Sequence, residues 1–324
     1  MKAAAERVVG SAEGDPSFGA APRARPGPRA ASAVLQPTPP VADVLATRPS
    51  GVRARLEVYL VRVSALVVLF FLVCAFFPVI VAPYRATDML SDAILVAPNW
   101  RHLCGTDQFG RDVFSLIVYG ARQSLLVTFC ATVVASAAGA FLGLLSGYAG
   151  GWVDMVVMRI IDMWMAIPSI LLAIAVCTAL GPSLPTLVLA VGVALIPRYA
   201  RVLRAQALAV RVRSYIEAAR VSGASHAAIL RRHVLPQCLG PILVLATLGA
   251  GWSILIGSGL SFLGFGVNEE RPDWGYLVSE GRSYLTVAWW TVTCPGLAIA
   301  ALVVSVNLLG DALRGALAPR SSGT

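Results

Sequence analysis

Two ionisable residues interrupt an otherwise apolar stretch: Arg159 and Asp162, three apart and so on one face of a helix. They lie about 10–15 Å beyond Trp152 by helical rise, where inserting a charge into lipid costs about 2.5–3.5 kcal/mol. Each must therefore face the other, a partner subunit or a watered path. Asn307, in the last apolar stretch, either bonds a neighbouring helix or lines such a path. Asp311 and Arg314 repeat the three-residue spacing near the end of that stretch, where anchoring at the membrane interface accounts for them. A second polar group is Thr106, Asp107, Arg111 and Asp112. A cation or phosphate site is one reading, but the ligand density of a calcium loop is lacking. The simpler reading is structural, with Thr106 or Asp107 capping a helix and Arg111 paired internally.

The third group is a polar, arginine-studded segment between two long apolar runs, from Ser214 to Pro236. Ser214 followed by Glu217 has the spacing of a capping box, in which each side chain satisfies a free N–H at a helix start. Ala218 and Ala219 leave that helix a nearly bare face, on which a partner can lie close. Gly223 can end it in the left-handed conformation that glycine adopts cheaply. A second short helix is expected from Ser225 through His226 to Arg232, with Pro236 forcing a new beginning. Tyr215, His233 and Leu235 complete the set. Two short helices with a small-residue face, beside a membrane, form a docking surface for another protein.

The elements that must position these residues are membrane spans. The chain of 324 residues is 57% hydrophobic and 13% charged, too apolar for an ordinary soluble protein. Several runs exceed about 18 apolar residues, enough to cross a hydrocarbon core of about 30 Å. The fold expected is all-α and polytopic, with spans at 60–82, 123–147, 153–180, 185–203, 238–262 and 291–313 inside a domain of 53–318. Residues 204–236 form the loop after the fourth span. Span two is dense in small residues, among them Ala135, Ala137, Ala138, Gly139, Ala140 and Gly143, so it is expected inside the bundle. Pro168 and Pro197 interrupt spans three and four and are possible hinges, since proline removes a backbone bond and kinks a helix.

Residues 1–52, rich in Ala, Pro, Arg and Gly, bury too little apolar surface to offset their ordering entropy and are expected to be a disordered tail. Residues 319–324 form a short C-terminal tail. Arg53, Arg55 and Arg62 at the first span place the N-terminus in the cytoplasm. Six spans return the C-terminus there, and Arg198, Arg201, Arg204, Arg211, Arg213, Arg220, Arg231 and Arg232 then all face inside against one acid, Glu217. The net charge of +9 therefore reads as orientation, and nucleic-acid binding is not indicated because no aromatic-basic interleaving accompanies it. The six cysteines show neither a disulfide frame nor metal-ligand spacing. Neither a metal nor a cofactor is expected in this chain.

Between the fourth and fifth spans, Glu217-Ala218-Ala219, Gly223 and Leu235-Pro236 match in order and spacing the coupling-loop pattern of ABC-importer permeases. His233 stands where the general pattern has isoleucine, and His233-Val234-Leu235-Pro236 is similar to the variant of the dipeptide/oligopeptide branch. Gly105-Thr106-Asp107-Gln108-Phe109-Gly110-Arg111-Asp112, Leu260-Ser261-Phe262-Leu263-Gly264-Phe265-Gly266 with Asp273-Trp274-Gly275, Pro295-Gly296 and Asn307 through Arg314 resemble further signatures of its DppC/OppC-type subunit. Gly315 stands where an Asp is common. The resemblance covers roughly residues 55–320.

It implies a permease subunit of a binding-protein-dependent importer in the plasma (inner) membrane. Its partners would be a homologous second permease, two ATPase subunits or one fused ATPase, and an extracytoplasmic solute-binding protein delivering peptide. ATP and Mg2+ would be held by the partner subunits. The residues support that division of labour independently. The only lysine is Lys2, and a conventional P-loop needs a lysine on the nucleotide phosphates, so the chain is not expected to be an enzyme by itself. A secondary transporter or channel driven by an ion gradient is the alternative. It would need broken helices in symmetric halves or a chain of intramembrane acids, and Asp162 is a thin relay.

Overall fold

The structure, a computed structural model, describes residues 51–89, 91–266 and 273–317. The chain from Arg53 onward forms one compact unit. The expected tails lie outside the described residues apart from Gly51 and Val52, and so does the run Glu269-Glu270-Arg271-Pro272.

Helix α1, Gly51–Phe76, is followed by a single turn, α2, Pro78–Val81. The first span thus starts earlier than expected and ends at Phe76. Pro78 disfavours helical backbone at the residue before it, and Phe77 sits at φ −128°, ψ 54°. Helix α3, Val113–Ala149, has 37 residues and extends about 55 Å at 1.5 Å per residue, longer than the expected 123–147. It begins at Asp112, whose side chain accepts a bond from the Ser115 N–H at 2.8 Å. The cap of this helix is therefore Asp112, not Thr106 or Asp107. A capped start lets helix continue through Arg122 and Gln123, where hydropathy alone places the boundary.

The third span is two helices, α4, Gly151–Met165, and α5, Ser169–Leu180, bent 88° to one another with Pro168 just before the second. Helix α6, Leu184–Arg211, runs on through Pro197 and eight residues beyond the expected end at 203. The short helices α7, Ser214–Val221, and α8, His226–Ile229, come next. A π-turn over Leu230–Val234 then leads into α9, Leu235–Leu260. After α10, Trp274–Gly281, the chain closes with α11, Trp290–Leu317. Among the described residues five helices are long and apolar enough to cross a membrane, or six when the bent pair α4–α5 is counted as one span. No strand forms among them beyond one isolated bridge, Thr106 with Asp112. The fold is all-α and polytopic.

The centre of the bundle is α6, not α3. Its most apolar window is 67% buried inside the chain, against 33% for α3. The small-residue stripe of α3 is nonetheless what seats α6: a Cβ at Gly139, Gly143 or Gly147 would run into Tyr199, Ala200 or Ala207. Small residues here bring two backbones together along one face. The opposite face of α3 carries exposed Phe129, Val133 and Phe141, as a lipid-facing surface should.

A second core forms at the other end of the molecule. Trp274, fully buried, donates from Nε1 to Ile117 O at 2.8 Å and meets the edge of Phe71 at 4.9 Å. Helix α10 is thereby plugged between α1 and α3.

Candidate functional site

The segment joining α6 to α9 is built on one apolar anchor. Ile216 of α7 is fully buried, in a cluster with Leu203, Ala207 and Val210 of α6, Leu144 of α3, and Ile229, Val234 and Cys238. Around it Ser214, Tyr215, Glu217, Ala218, Arg220 and Val221 are exposed. Ala219 is half-buried against the cluster. The bare outer face is therefore Ala218 alone, because a 100° step turns Ala219 back toward Ile216.

The expected capping box does not form. The residue preceding α7 is Arg213, in extended backbone and without a side-chain cap bond, so Ser214 is the first helical residue. Its hydroxyl is one position too late to receive the third-residue N–H. The other end matches the expectation. Gly223 takes φ +81°, its N–H donates to Arg220 O at 3.0 Å and the Ala224 N–H to Ala219 O at 3.1 Å. That pair of bonds is a Schellman ending.

Ser225 starts α8 as expected, its Oγ accepting from the Ala228 N–H at 3.3 Å. Pro236 does not force a new beginning. Helix continues from His226 through Leu260, because the π-turn absorbs the proline: the Leu235 N–H reaches back five residues to Leu230 O. A wider turn removes the carbonyl that a proline ring would strike in an α-turn. His233 is half-buried with its ring 6.2 Å from Tyr215, while Leu235 and Pro236 are exposed. The whole segment is braced on the end of α3: Tyr148 Oη lies 3.0 Å from His226 Nδ1, and the Arg220 guanidinium 6.0 Å from the Tyr148 ring.

The intramembrane charges pair differently from their spacing. Asp162 Oδ1 accepts from Arg201 Nη2 at 2.6 Å, both side chains half-exposed. It does not pair with Arg159, which is exposed and without an ion pair among the described residues. One turn further along α6, Arg204 grips Asp154 with two bonds, and Ser146 Oγ donates to the same carboxylate. Arg204 thus belongs to α6 with Arg198 and Arg201, rather than to the loop after the fourth span. Their three-residue spacing, with two acids eight apart on α4, was the available signal, since both periods return to one helical face.

Asn307 of α11 lies against Gly251 of α9, where a Cβ would come 2.8 Å from its Oδ1. It sits at a close helix crossing. Pro168 occupies the break between α4 and α5, whereas Pro197 is buried in the middle of α6. Pro197, with Trp164, Met165, Trp252 and Leu255, lines a cleft of about 740 Å³ between α4, α5, α6 and α9.

At the Trp274 end, the expectation that Arg111 is paired internally holds: its Nε donates to Asp107 at 2.6 Å and its Nη2 to Glu280 at 3.0 Å. His102 Nδ1 lies 3.0 Å from Asp112. Asp273 caps α10, accepting from the Tyr276 N–H at 2.9 Å and from Ser261 Oγ at 2.7 Å. Burial holds its carboxyl above the usual carboxylate range despite those donors. This end is a structural clasp.

Comparisons with known proteins fit this architecture. The family described as "Binding-protein-dependent transport system inner membrane component" matches residues 139–323. The "Dipeptide transport system permease protein DppC" of Alkalihalophilus pseudofirmus is 42% identical over 251 residues, 78% of this chain and 82% of that one. The "Di/tripeptide transport system permease protein DppC" of Pseudomonas aeruginosa is 40% identical over 253 residues, 76% and 84% of the two chains. The "Probable D,D-dipeptide transport system permease protein DdpC" of Escherichia coli is 38% identical over 260 residues, 80% and 87%. With its helical bundle, its buried-anchor segment between α6 and α9 and these matches, the chain belongs to the family of binding-protein-dependent transport-system inner membrane components.

Proposed function

We propose that this chain is a permease subunit of an ATP-driven importer for peptides, forming the translocation path with a homologous second permease. Two ATPase subunits, or one fused ATPase, hold ATP and Mg2+ on the cytoplasmic side, and a solute-binding protein delivers peptide on the other. Both termini are cytoplasmic. The peptide cargo follows from the names of relatives about 40% identical over three quarters of the chain.

The observation that carries the coupling role is the segment Ser214–Pro236. It presents Glu217, Ala218 and Val221 outward from a single buried residue, Ile216. A partner that grips this face holds a helix already locked into the bundle. The continuous π-turn leaves no slack joint between that grip and α9. Closure of the ATPases therefore moves α9 directly, and differential contacts in the inward- and outward-facing states supply the bias. The bend at Pro168 is where the third span can yield.

The test is a bulky substitution on the outward face, Ala218→Trp. It is expected to leave the purified chain folded while the ATPases no longer co-purify and ATP-dependent uptake into proteoliposomes is lost. Unchanged co-purification and uptake would overturn the coupling assignment. Recovery of the wild-type chain alone, with proton-coupled and ATP-independent uptake, would favour a gradient-driven transporter.

A further inference from the structure

Arg198, Arg201 and Arg204 stand three apart on α6, and the lower two have acids on α4, Asp162 and Asp154. The third does not. Arg198 is exposed, forms no ion pair among the described residues, and lies 5.8 Å from the ring centroid of Trp252. Beyond Asp162, α4 carries no further acid before it ends at Met165, and there the chain turns by 88° into α5. That turn opens the cleft of about 740 Å³, whose walls are Trp164, Ile167, Pro197, Trp252 and Leu255 around the one charged lining residue, Arg198. By helical rise Arg198 is about 21 Å from the Leu184 end of α6, well within a membrane's thickness.

The geometry points to Arg198 as a binding residue for the C-terminal carboxylate of a peptide in transit, an inference that rests on the peptide reading above. An uncompensated guanidinium at this depth is costly unless an anion or water meets it. Its planar fork donates two parallel hydrogen bonds to a carboxylate, and the cation–π contact with Trp252 orients the plane without neutralising the charge. The cleft's volume falls in the range of small-ligand sites, about 300–1,000 Å³. Its indole and aliphatic walls accept varied side chains, while the guanidinium reads the group that every unmodified peptide shares. Supplying one charged anchor and no second keeps the hold weak enough for release, as conduction requires.

The experiment uses the complete transporter with its own partner subunits in proteoliposomes, fed an equimolar dipeptide mixture and read by mass spectrometry. Arg198→Gln is expected to assemble and to hydrolyse ATP when the loaded binding protein is added, yet to accumulate dipeptides about tenfold more slowly or worse, the scale of one lost charge-assisted hydrogen bond. Arg198→Lys should recover part of that rate. Met165→Glu, which puts an internal carboxylate into the cleft, should slow uptake with Arg198 intact, and it decides the matter alone if Arg198→Gln does not reach the membrane. Wild-type uptake rates in Arg198→Gln or Met165→Glu would overturn the inference. So would an Arg198→Gln complex that purifies without the second permease, since the guanidinium would then pair across an interface. A wild-type transporter that assembles and hydrolyses ATP but accumulates none of the dipeptides would overturn the peptide reading itself.

Discussion

Arg204 holds Asp154 through both sides of its fork, Nε to Oδ1 at 2.5 Å and Nη2 to Oδ2 at 2.6 Å. This is the bond that joins the bent third span to the central helix just above the coupling segment. Arg211 follows two turns later with its guanidinium over Gly150, at the junction of α3 and α4. Asp154→Asn keeps the shape and removes the charge. It is expected to destabilise the detergent-solubilised chain by about 1–2 kcal/mol, between the values for exposed and buried pairs. A double-mutant cycle with Arg204→Gln, followed by thermal unfolding, should return most of that as coupling energy.

Ile216 and Ala218 should separate stability from coupling. Ile216→Ala empties a fully buried site and is expected to cost about 2–5 kcal/mol, lowering the melting temperature and detaching α7. Ala218→Trp, on the exposed face, should leave the melting temperature within a degree or two of wild type, since such changes stay within about 0.5 kcal/mol.

Gly223 is constrained by its backbone and not by neighbours. Its φ is +81°, and a Cβ there would meet nothing within 4 Å. Gly223→Ala is expected to cost about 1–2 kcal/mol locally, and Gly223→Asn less, because Asn tolerates the left-handed region. Gly223→Asp should behave between the two in strain. Co-purified ATPase per mole of permease, compared across Ala, Asn and Asp, checks the order.

Asp273 makes a pH prediction whose sign is fixed by burial. Its folded carboxyl titrates above the ordinary 3.8, so above pH 3.8 the native state binds more protons than the unfolded one. Stability from this group therefore falls as pH rises through the folded value, and is highest with the carboxyl protonated. Asp273→Asn, which retains an acceptor for the Tyr276 N–H, should flatten the wild-type decline. The difference between the two unfolding curves from pH 4 to 7 is the measurement, and a difference that does not change with pH would contradict it.

Much of the architecture was legible because lipid imposes a length on every spanning helix. Apolar length located five helices able to cross and the bent pair that makes a sixth when counted as one span, and Gly223, Ser225 and the Arg111 ion pairs did what their types and neighbours require. Boundaries were less legible, since a cap such as Asp112 or a π-turn before Pro236 extends a helix past its apolar stretch. Local signals also failed where two readings fitted one pattern: Ser214 and Glu217 have capping-box spacing, yet helix begins one residue too early for it.

What the sequence determined by itself was periodic and local: spans, turns, and a polar segment with an exposed small residue between two of them. The tertiary structure alone decided which charges meet. Arg159 and Asp162 share a helical face, but Asp162 is taken by Arg201, because α6 runs beside α4 and brings a guanidinium to 2.6 Å. The same crossing satisfies Asp154 and leaves Arg198 over the cleft where the third span bends away. Spacing along one helix sets what can be adjacent, and only the packing of two helices sets what is.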